Sequence, residues 1–202
     1  MSVVPEKKVS PFGKGKNWDL NACVGTNGGP YNYAAYASGY LQAANSMAKQ
    51  FVENRGLGDV SLDVGIYPLL YLYRQGIELM MKHYVYDKRN RPKNDTEHDL
   101  RKLWNKTSVE MKQILEPIFG EMELREAMEK LEDFVLKMHA LDPKGQVMRF
   151  PEDPLGNPFL QDYSIINIEP IYEAGLEVEM IFDTLVNGLA EAGEYIADDP
   201  VE

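Results

Sequence analysis

The chain has 202 residues, of which 44% are hydrophobic and 26% are charged, and its formal net charge is −11. These values are typical of one globular domain that buries a core without disulfides or metals. The acidic charge disfavours non-specific binding to RNA or DNA, because like charges repel the phosphate backbone.

The cysteine content and the hydropathy pattern bear on the compartment. Cys23 is the only cysteine, so no disulfide forms within the chain. The sequence has no secretory signal and no apolar run of membrane-spanning length. We therefore expect a cytoplasmic protein with no membrane partner.

The chain begins with an irregular stretch and ends with a short acidic one. Prolines and scattered glycines break any periodicity in residues 1–29, and residues 196–202 read as an acidic tail. Between them, residues 30–195 are predicted to form a single helical domain. Its first helix, Tyr31–Glu53, has Pro30 in its opening turn, a position that suits proline.

The second predicted helix, Pro68–Tyr86, has apolar residues around most of its circumference. Such a helix is typically central, with neighbours on several sides. Arg74, Glu78 and Lys82 interrupt the apolar surface at every fourth position. The second helix therefore carries a single narrow row of charges.

Two short helices are predicted next. The first is "EHDLRKLWNK", with Asp95 or Thr96 as its N-cap, and the second is "SVEMKQILEPIFG", which ends at Pro117 and Gly120.

Two longer helices complete the prediction. Glu121–Leu141 is strongly amphipathic, and Asn167–Leu189 forms the last helix. Between them, residues 142–164 have extended residues on both sides of a Pro, Gly and Asn cluster, which predicts a β-hairpin or a structured loop. The predicted fold is all-α: an antiparallel helical bundle with a hairpin-like insert before the last helix.

The row of charges on the second helix has three interpretations. Glu78 has the spacing to pair with both Arg74 and Lys82. The row is an internal ion-pair network that fixes helix register, a ligand-binding or catalytic groove, or a solvent-exposed edge. We favour the first, and we predict that Glu78 contacts Arg74, a partner on the helix from His98 to Trp104, or both. Tyr71 extends the row and is a further candidate binding residue.

The remaining titratable residues form no recognisable metal site or nucleophile triad. His83, His98 and His139 lie on three different segments, without a close pair of ligands. We therefore expect no metal and no other cofactor.

Two motifs resemble the HEPN superfamily, the higher-eukaryote and prokaryote nucleotide-binding helical domains. They are "YPLLYLYRQGIELMMKHYV" and, after a loop, "EHDLRKLW". Many members carry Tyr-Arg-x-x-x-Glu-Leu-x-x-Lys, a loop, and then His-Asp-Leu-x-x-Leu. The matching positions here are Tyr73, Arg74, Glu78, Leu79 and Lys82, then His98, Asp99, Leu100 and Leu103.

A third segment, "RFPEDPLGNPF", resembles an Arg-Tyr-Pro, Asp, Gly segment of some bacterial members, with Phe150 in the Tyr position. It makes Arg149 a candidate binding residue. The resemblance covers roughly Tyr31 to Phe159.

The resemblance implies a helical bundle that commonly dimerises. Family members include RNases of toxin and phage-defence systems, and non-catalytic partners of nucleotidyltransferases. The catalytic members use an Arg and a His with four to six residues between them, and cleave RNA without metal through the 2′-hydroxyl. Arg91 and His98 have this spacing, but Pro92 stands where a polar residue is usual, and no Arg or His follows Arg149.

Three hypotheses about function follow. The first is a non-catalytic HEPN-like binding or regulatory protein, homodimeric, in a bacterial defence or toxin–antitoxin setting. The second is a metal-independent RNase that uses Arg91 and His98, with the nearby basic loop of Lys88, Arg89 and Lys93 binding phosphates. The third is a small-molecule site in a tyrosine-lined groove between the first two helices, since nine of the twelve tyrosines precede residue 90.

Overall fold

The structure, a computed structural model, describes residues 12–25, 29, 32–55, 61–85 and 97–191. The chain divides into two compact units, Met1–Tyr31 and Asn32–Glu202. In the first unit, Asn17 caps a short 3-10 helix, Trp18–Leu20, and the Lys14 ammonium lies 4.2 Å from the centre of the Trp18 ring. The second unit contains the long helices.

The second unit is an all-helical bundle, as the sequence predicted. Its helices are α1 (Tyr33–Glu53), α2 (Leu62–Val85), α3 (Leu100–Leu115), α4 (Glu121–Leu141) and α5 (Ile168–Glu191). The predicted main helices agree within two residues at each end, except at the start of α2. That helix begins six residues before Pro68 and continues through it, at the loss of one backbone hydrogen bond.

The two short helices predicted between residues 97 and 120 are one helix, α3. Its Thr107 is fully buried, and the hydroxyl donates to the Leu103 carbonyl at 3.0 Å. A threonine that bonds one turn back in this way is accommodated inside a helix.

The predicted cap of α3 is also wrong, because Asp99, not Asp95 or Thr96, caps this helix. Asn32 caps α1, and Pro30 lies outside the described residues. Each cap side chain accepts a bond from the backbone N–H three residues later.

The segment between α4 and α5 is a structured loop, and its described residues form no strand. One isolated bridge joins Glu152 and Pro158 across a tight turn. The Asp153 carboxylate accepts hydrogen bonds from the backbone N–H groups of Leu155 and Asn157. These side-chain hydrogen bonds hold the turn in place of the ladder of backbone hydrogen bonds that a β-hairpin requires.

Close approach between helices depends on three glycines. A Cβ at Gly76 would lie 2.8 Å from the Leu41 side chain, and one at Gly65 would lie 2.2 Å from the Phe51 ring. Phe51 lies near the end of α1 and Gly65 near the start of α2, whereas Leu41 lies in the first half of α1 and Gly76 in the second half of α2, so the two helices run antiparallel. Gly175 of α5 packs in the same way on the fully buried ring of Tyr73.

α2 occupies the centre of one side of the bundle, where it contacts α1, α3 and α5. α4 packs against α3 and α5. No helix among the described residues has the combination of length and apolarity that a membrane span needs.

Candidate functional site: a buried charge network on α2

The row of charges on α2 faces the interior. Arg74 and Glu78 are each 3% exposed and Lys82 is 7% exposed. The interpretation as a solvent-exposed edge is therefore wrong. A lone buried ion strongly destabilises a fold, so the contribution of these three side chains to stability depends on how their charges are paired.

Glu78 is the centre of the network, and both of its carboxylate oxygens are occupied. Oε2 accepts a hydrogen bond from Arg74 Nη1 at 2.9 Å. Oε1 lies 3.0 Å from Lys82 Nζ and 2.8 Å from Nδ1 of His98. The prediction that Glu78 contacts Arg74, a partner in the segment from His98 to Trp104, or both is confirmed, since Glu78 contacts both Arg74 and His98.

Arg74 connects α2 to two other parts of the bundle. Its Nε donates to the Asp142 carbonyl at 3.0 Å, and its Nη2 donates to the His98 carbonyl at 2.7 Å. Asp142 follows the last residue of α4, and His98 lies two residues before α3. A planar guanidinium with several donors suits this task, since one side chain binds three acceptors in different directions.

Asp142 is a member of the network that the sequence analysis missed. It is fully buried, and its Oδ1 accepts the backbone N–H groups of Gln146 at 2.8 Å and Val147 at 3.2 Å. Its Oδ2 lies 3.6 Å from Arg74 Nε. The signal was present in "DPKG", because Asp followed by Pro and Gly is typical of a turn in which the carboxylate binds the backbone.

The turn at Asp142 brings the backbone close to Arg74. Gly145 has a φ of +72°, and a Cβ there would lie 3.0 Å from Arg74 Nη1. The position therefore favours glycine for two reasons, the left-handed backbone and the proximity of the guanidinium.

The formal charges of the network balance. Arg74 and Lys82 supply two positive charges, and Glu78 and Asp142 supply two negative ones. Each carboxylate has a cation within 4.0 Å, and the guanidinium also binds two carbonyls. This pairing offsets the desolvation cost of burial and favours the interpretation as a network that fixes helix register.

His98 and Asp99, the two residues before α3, contact α2 and α4 beside the buried charges. The His98 side chain is 59% exposed although its Nδ1 contacts the buried Glu78. Asp99 caps α3, and its Oδ1 also lies 3.4 Å from Nδ1 of His139 near the end of α4. The start of α3 is thus held by contacts with α2 and with α4.

The other predicted site residues are not part of this set of contacts. Tyr71 lies on α2, half-buried, one turn before Arg74. Arg149 is exposed, and its guanidinium lies 5.2 Å from the centre of the neighbouring Phe150 ring. Arg91 lies outside the described residues, as does the basic loop of Lys88, Arg89 and Lys93, so the Arg91–His98 pairing stays a prediction.

Among the described residues, no three His, Cys, Asp or Glu side chains come together as a metal site would require. His83 is partly buried near the end of α2, and its Nε2 has no hydrogen-bond partner. Burial lowers the pKa of His83 below its ordinary value, because desolvation disfavours the charged imidazole.

A cavity of about 340 Å³ lies away from the network. It is formed where α1 ends and where α2 and α5 begin, with Phe51, Leu62 and Ile168 among its lining residues and Arg55 and Glu169 as its charged ones. None of the predicted site residues lines it.

Comparison of the chain with protein-family models, with curated proteins and with solved structures finds no match. The likeness to the HEPN superfamily therefore stays a prediction from short motifs.

Proposed function

We propose that the chain is a non-catalytic HEPN-like helical protein with a binding or regulatory role, of the kind found in bacterial defence and toxin–antitoxin systems. The observation that carries this proposal is the use of the motif side chains in packing. Glu78 binds Arg74, Lys82 and His98 at once, and Arg74 also binds two backbone carbonyls. Residues with these roles hold helices together and need no substrate to account for them.

The resemblance supplies the class of protein, and the contacts supply the reason for a non-catalytic role. Tyr73, the first residue of the motif, is fully buried, and its hydroxyl donates to Asn45 Oδ1 on α1 at 2.6 Å. Leu100 and Leu103, the last residues, are also fully buried. Most residues of the motif thus pack α2 against α1 and α3.

An RNase that uses Arg91 and His98 is the second candidate, and one observation favours it. The His98 ring is more than half exposed while Glu78 holds its Nδ1 at 2.8 Å. A carboxylate that orients an accessible imidazole is a common arrangement in general acid–base catalysis.

A single assay separates the two candidates. Purified protein is incubated with mixed RNA in the presence of a chelator, beside the variants His98→Ala and His139→Ala. We expect no cleavage by any of the three. Cleavage by the wild type and by His139→Ala, lost in a folded His98→Ala variant, would establish the RNase and reject the non-catalytic proposal.

The third hypothesis, a tyrosine-lined groove between α1 and α2, gains no support from the packing. Leu41 lies against Gly76 and Phe51 lies against Gly65, so these side chains fill the contact line between the two helices. The antiparallel pairing also places Tyr67 beside the end of α1, far along the hairpin from Tyr33 and Tyr36 at its start.

A further inference from the structure

The three histidines of the chain differ in how their rings are held and exposed. His98 is 59% exposed, and its Nδ1 lies 2.8 Å from the Glu78 carboxylate. His139 is 13% exposed, and its Nδ1 makes no hydrogen bond. His83 is partly buried, and its Nε2 is enclosed without a partner. Among the three, His98 alone combines an anchored nitrogen with a ring that is open to solvent.

The contact with Glu78 determines which nitrogen of His98 carries the hydrogen. An ionised carboxylate only accepts hydrogen bonds, so we assign the hydrogen to Nδ1, which donates to Oε1. In the neutral ring the lone pair then belongs to Nε2. Among the described residues, no group forms a hydrogen bond with this Nε2. His98 thus has a nucleophilic nitrogen that the bundle leaves unused.

Glu78 is a fixed anchor for the ring. It is buried, and Arg74 and Lys82 hold its two oxygens at 2.9 and 3.0 Å. These two cations already balance the carboxylates of Glu78 and Asp142. A neutral His98 ring therefore completes the network without adding a charge. Its orientation is set by a buried group that the same contacts hold in place.

Two exposed cations follow His98 in a chain whose net charge is −11. Arg101 and Lys102 lie in the first turn of α3, where the helix dipole disfavours positive charge. The Lys102 ammonium lies 3.7 Å from Glu97, the residue that precedes His98. The carboxylates of Glu97 and Asp99 each accept a backbone N–H at 3.1 Å, so the donors of Arg101 and Lys102 remain for an anion near the ring.

We propose that His98 is a phosphoryl acceptor, and that its Nε2 takes the phosphoryl group from a donor with a phosphorus–nitrogen bond. The Nε2 lone pair forms the new nitrogen–phosphorus bond. The bond between phosphorus and the donor nitrogen breaks, and the donor nitrogen keeps that electron pair. This modification goes beyond the proposed binding or regulatory role, because it names a chemical group that the protein receives.

Glu78 acts as a positioning residue in this transfer. By accepting the Nδ1 hydrogen it raises the basicity of Nε2, as a carboxylate does for an imidazole that binds a metal. The Nδ1 hydrogen stays in place, so the phosphorylated ring carries a positive charge opposite the Glu78 carboxylate. That pairing stabilises the product in the way that a buried carboxylate stabilises an imidazolium.

The energetics of the product define the donor class. A phosphorylated imidazole transfers its group more readily than a phosphate ester does, so an ester does not load a histidine. Transfer from another phosphorus–nitrogen bond replaces one such bond with a similar one. The donor class therefore comprises phosphorylated imidazoles and simple phosphoramidates.

Phosphoramidate, a small member of this class, tests the proposal on the full folded chain. Intact-mass spectrometry should show one addition of about 80 Da, the mass of a phosphoryl group, which is lost in acid and stable in alkali. Fragment masses should place it on His98, and phosphorus–proton NMR should place it on Nε2. No addition, an addition mainly at His83 or His139, or attachment through Nδ1 would each overturn the proposal.

The chain unfolded in urea distinguishes an oriented imidazole from one that is merely exposed. All three histidines are accessible there, and Glu78 no longer holds His98. The rate of addition at His98 should be about tenfold or more higher in the folded chain, because only there does the carboxylate raise the basicity of Nε2. N-acetylhistidine in both solutions corrects for the effect of urea on the donor. Equal corrected rates would overturn the proposal.

His98→Gln and His139→Gln form a matched pair, since each removes an imidazole that contacts a carboxylate at the ends of α3 and α4. The addition should disappear in His98→Gln and persist in His139→Gln. An addition at the wild-type level in His98→Gln would overturn the proposal. If that variant does not fold, the mapped position and the urea comparison on the wild type decide. None of these measurements involves RNA, so they leave the non-catalytic proposal to its own assay.

Discussion

Arg74 and Glu78 form an ion pair of 2.9 Å one turn apart on α2, although each side chain is only 3% exposed. An ion pair with this spacing is ordinarily found on the outside of a helix, where it contributes little to stability. Here it lies at the junction of α2 with the start of α3 and the end of α4, so its removal affects three helices at once.

Loss of the central carboxylate should destabilise the protein strongly. Glu78→Gln leaves Arg74 and Lys82 buried with one neutral amide between them, and the free energy of unfolding should fall by roughly 3–5 kcal/mol. Lys82→Met should cost less, because Arg74 still neutralises Glu78 and the methionine fills the space.

Denaturant unfolding of both variants measures the two effects. Lys137→Met serves as a control, since it removes an ion pair of the same spacing with Asp133 on the exposed side of α4 and should change stability little. Wild-type stability in Glu78→Gln would show that the network does not hold the bundle together.

A glycine-to-alanine substitution should lower the stability of the protein at one helical glycine and raise it at another. Gly175→Ala places a Cβ 2.3 Å from the Tyr73 hydroxyl and displaces a fully buried ring, so we expect a loss of about 1–3 kcal/mol. Gly39→Ala meets nothing within 4 Å and should stabilise α1 by up to about 1 kcal/mol through helix propensity. Thermal unfolding of the two variants should move the midpoint in opposite directions; a shared direction would contradict the packing of α5 on Tyr73.

Comparing alanine substitutions at two loop glycines distinguishes the cost of backbone strain from the cost of steric crowding. Gly145 and Gly156 have φ angles of +72° and +83°, so alanine is strained at both, at a cost of about 1–2 kcal/mol. Only at Gly145 does the new Cβ also approach Arg74, at 3.0 Å from Nη1. Gly145→Ala should therefore lower the free energy of unfolding more than Gly156→Ala, and equal losses would show that Arg74 moves freely to make room.

The burial of His83 predicts a pH dependence. Because its pKa in the folded state is lowered, the unfolded chain binds more protons than the folded chain below the ordinary histidine pKa of about 6.5. The contribution of neutral His83 to stability is complete above that pH and is lost as the pH falls through it.

A variant without the imidazole isolates this contribution. We expect His83→Leu to gain stability relative to the wild type as the pH falls from about 7 to 5, whatever the offset between them at pH 7. Denaturant unfolding at several pH values gives the difference. A constant offset over this range would mean that His83 titrates normally in the folded protein.

The sequence by itself determined where the long helices lie and which three residues of α2 form its row of charges. Apolar residues at helical spacing predict a helix on their own, because every helix of a bundle buries one apolar face, whichever elements it packs against. The spacing of Arg74, Glu78 and Lys82 likewise determined that they share one row and that Glu78 lies within reach of both cations. Errors arose at helix ends and at Thr107, where short side-chain bonds to the backbone decide between a cap, a break and a continuous helix.

Only the tertiary structure decided which way that row faces and what completes it. Burial of Arg74 depends on His98 and Asp142, which lie 24 and 68 residues further along the chain, and no periodicity within α2 contains that information. With its three charged residues turned toward α3 and α4, α2 leaves an uncharged surface beside α1, because the arrangement of neighbouring helices, rather than the composition of any one helix, determines which residues meet water.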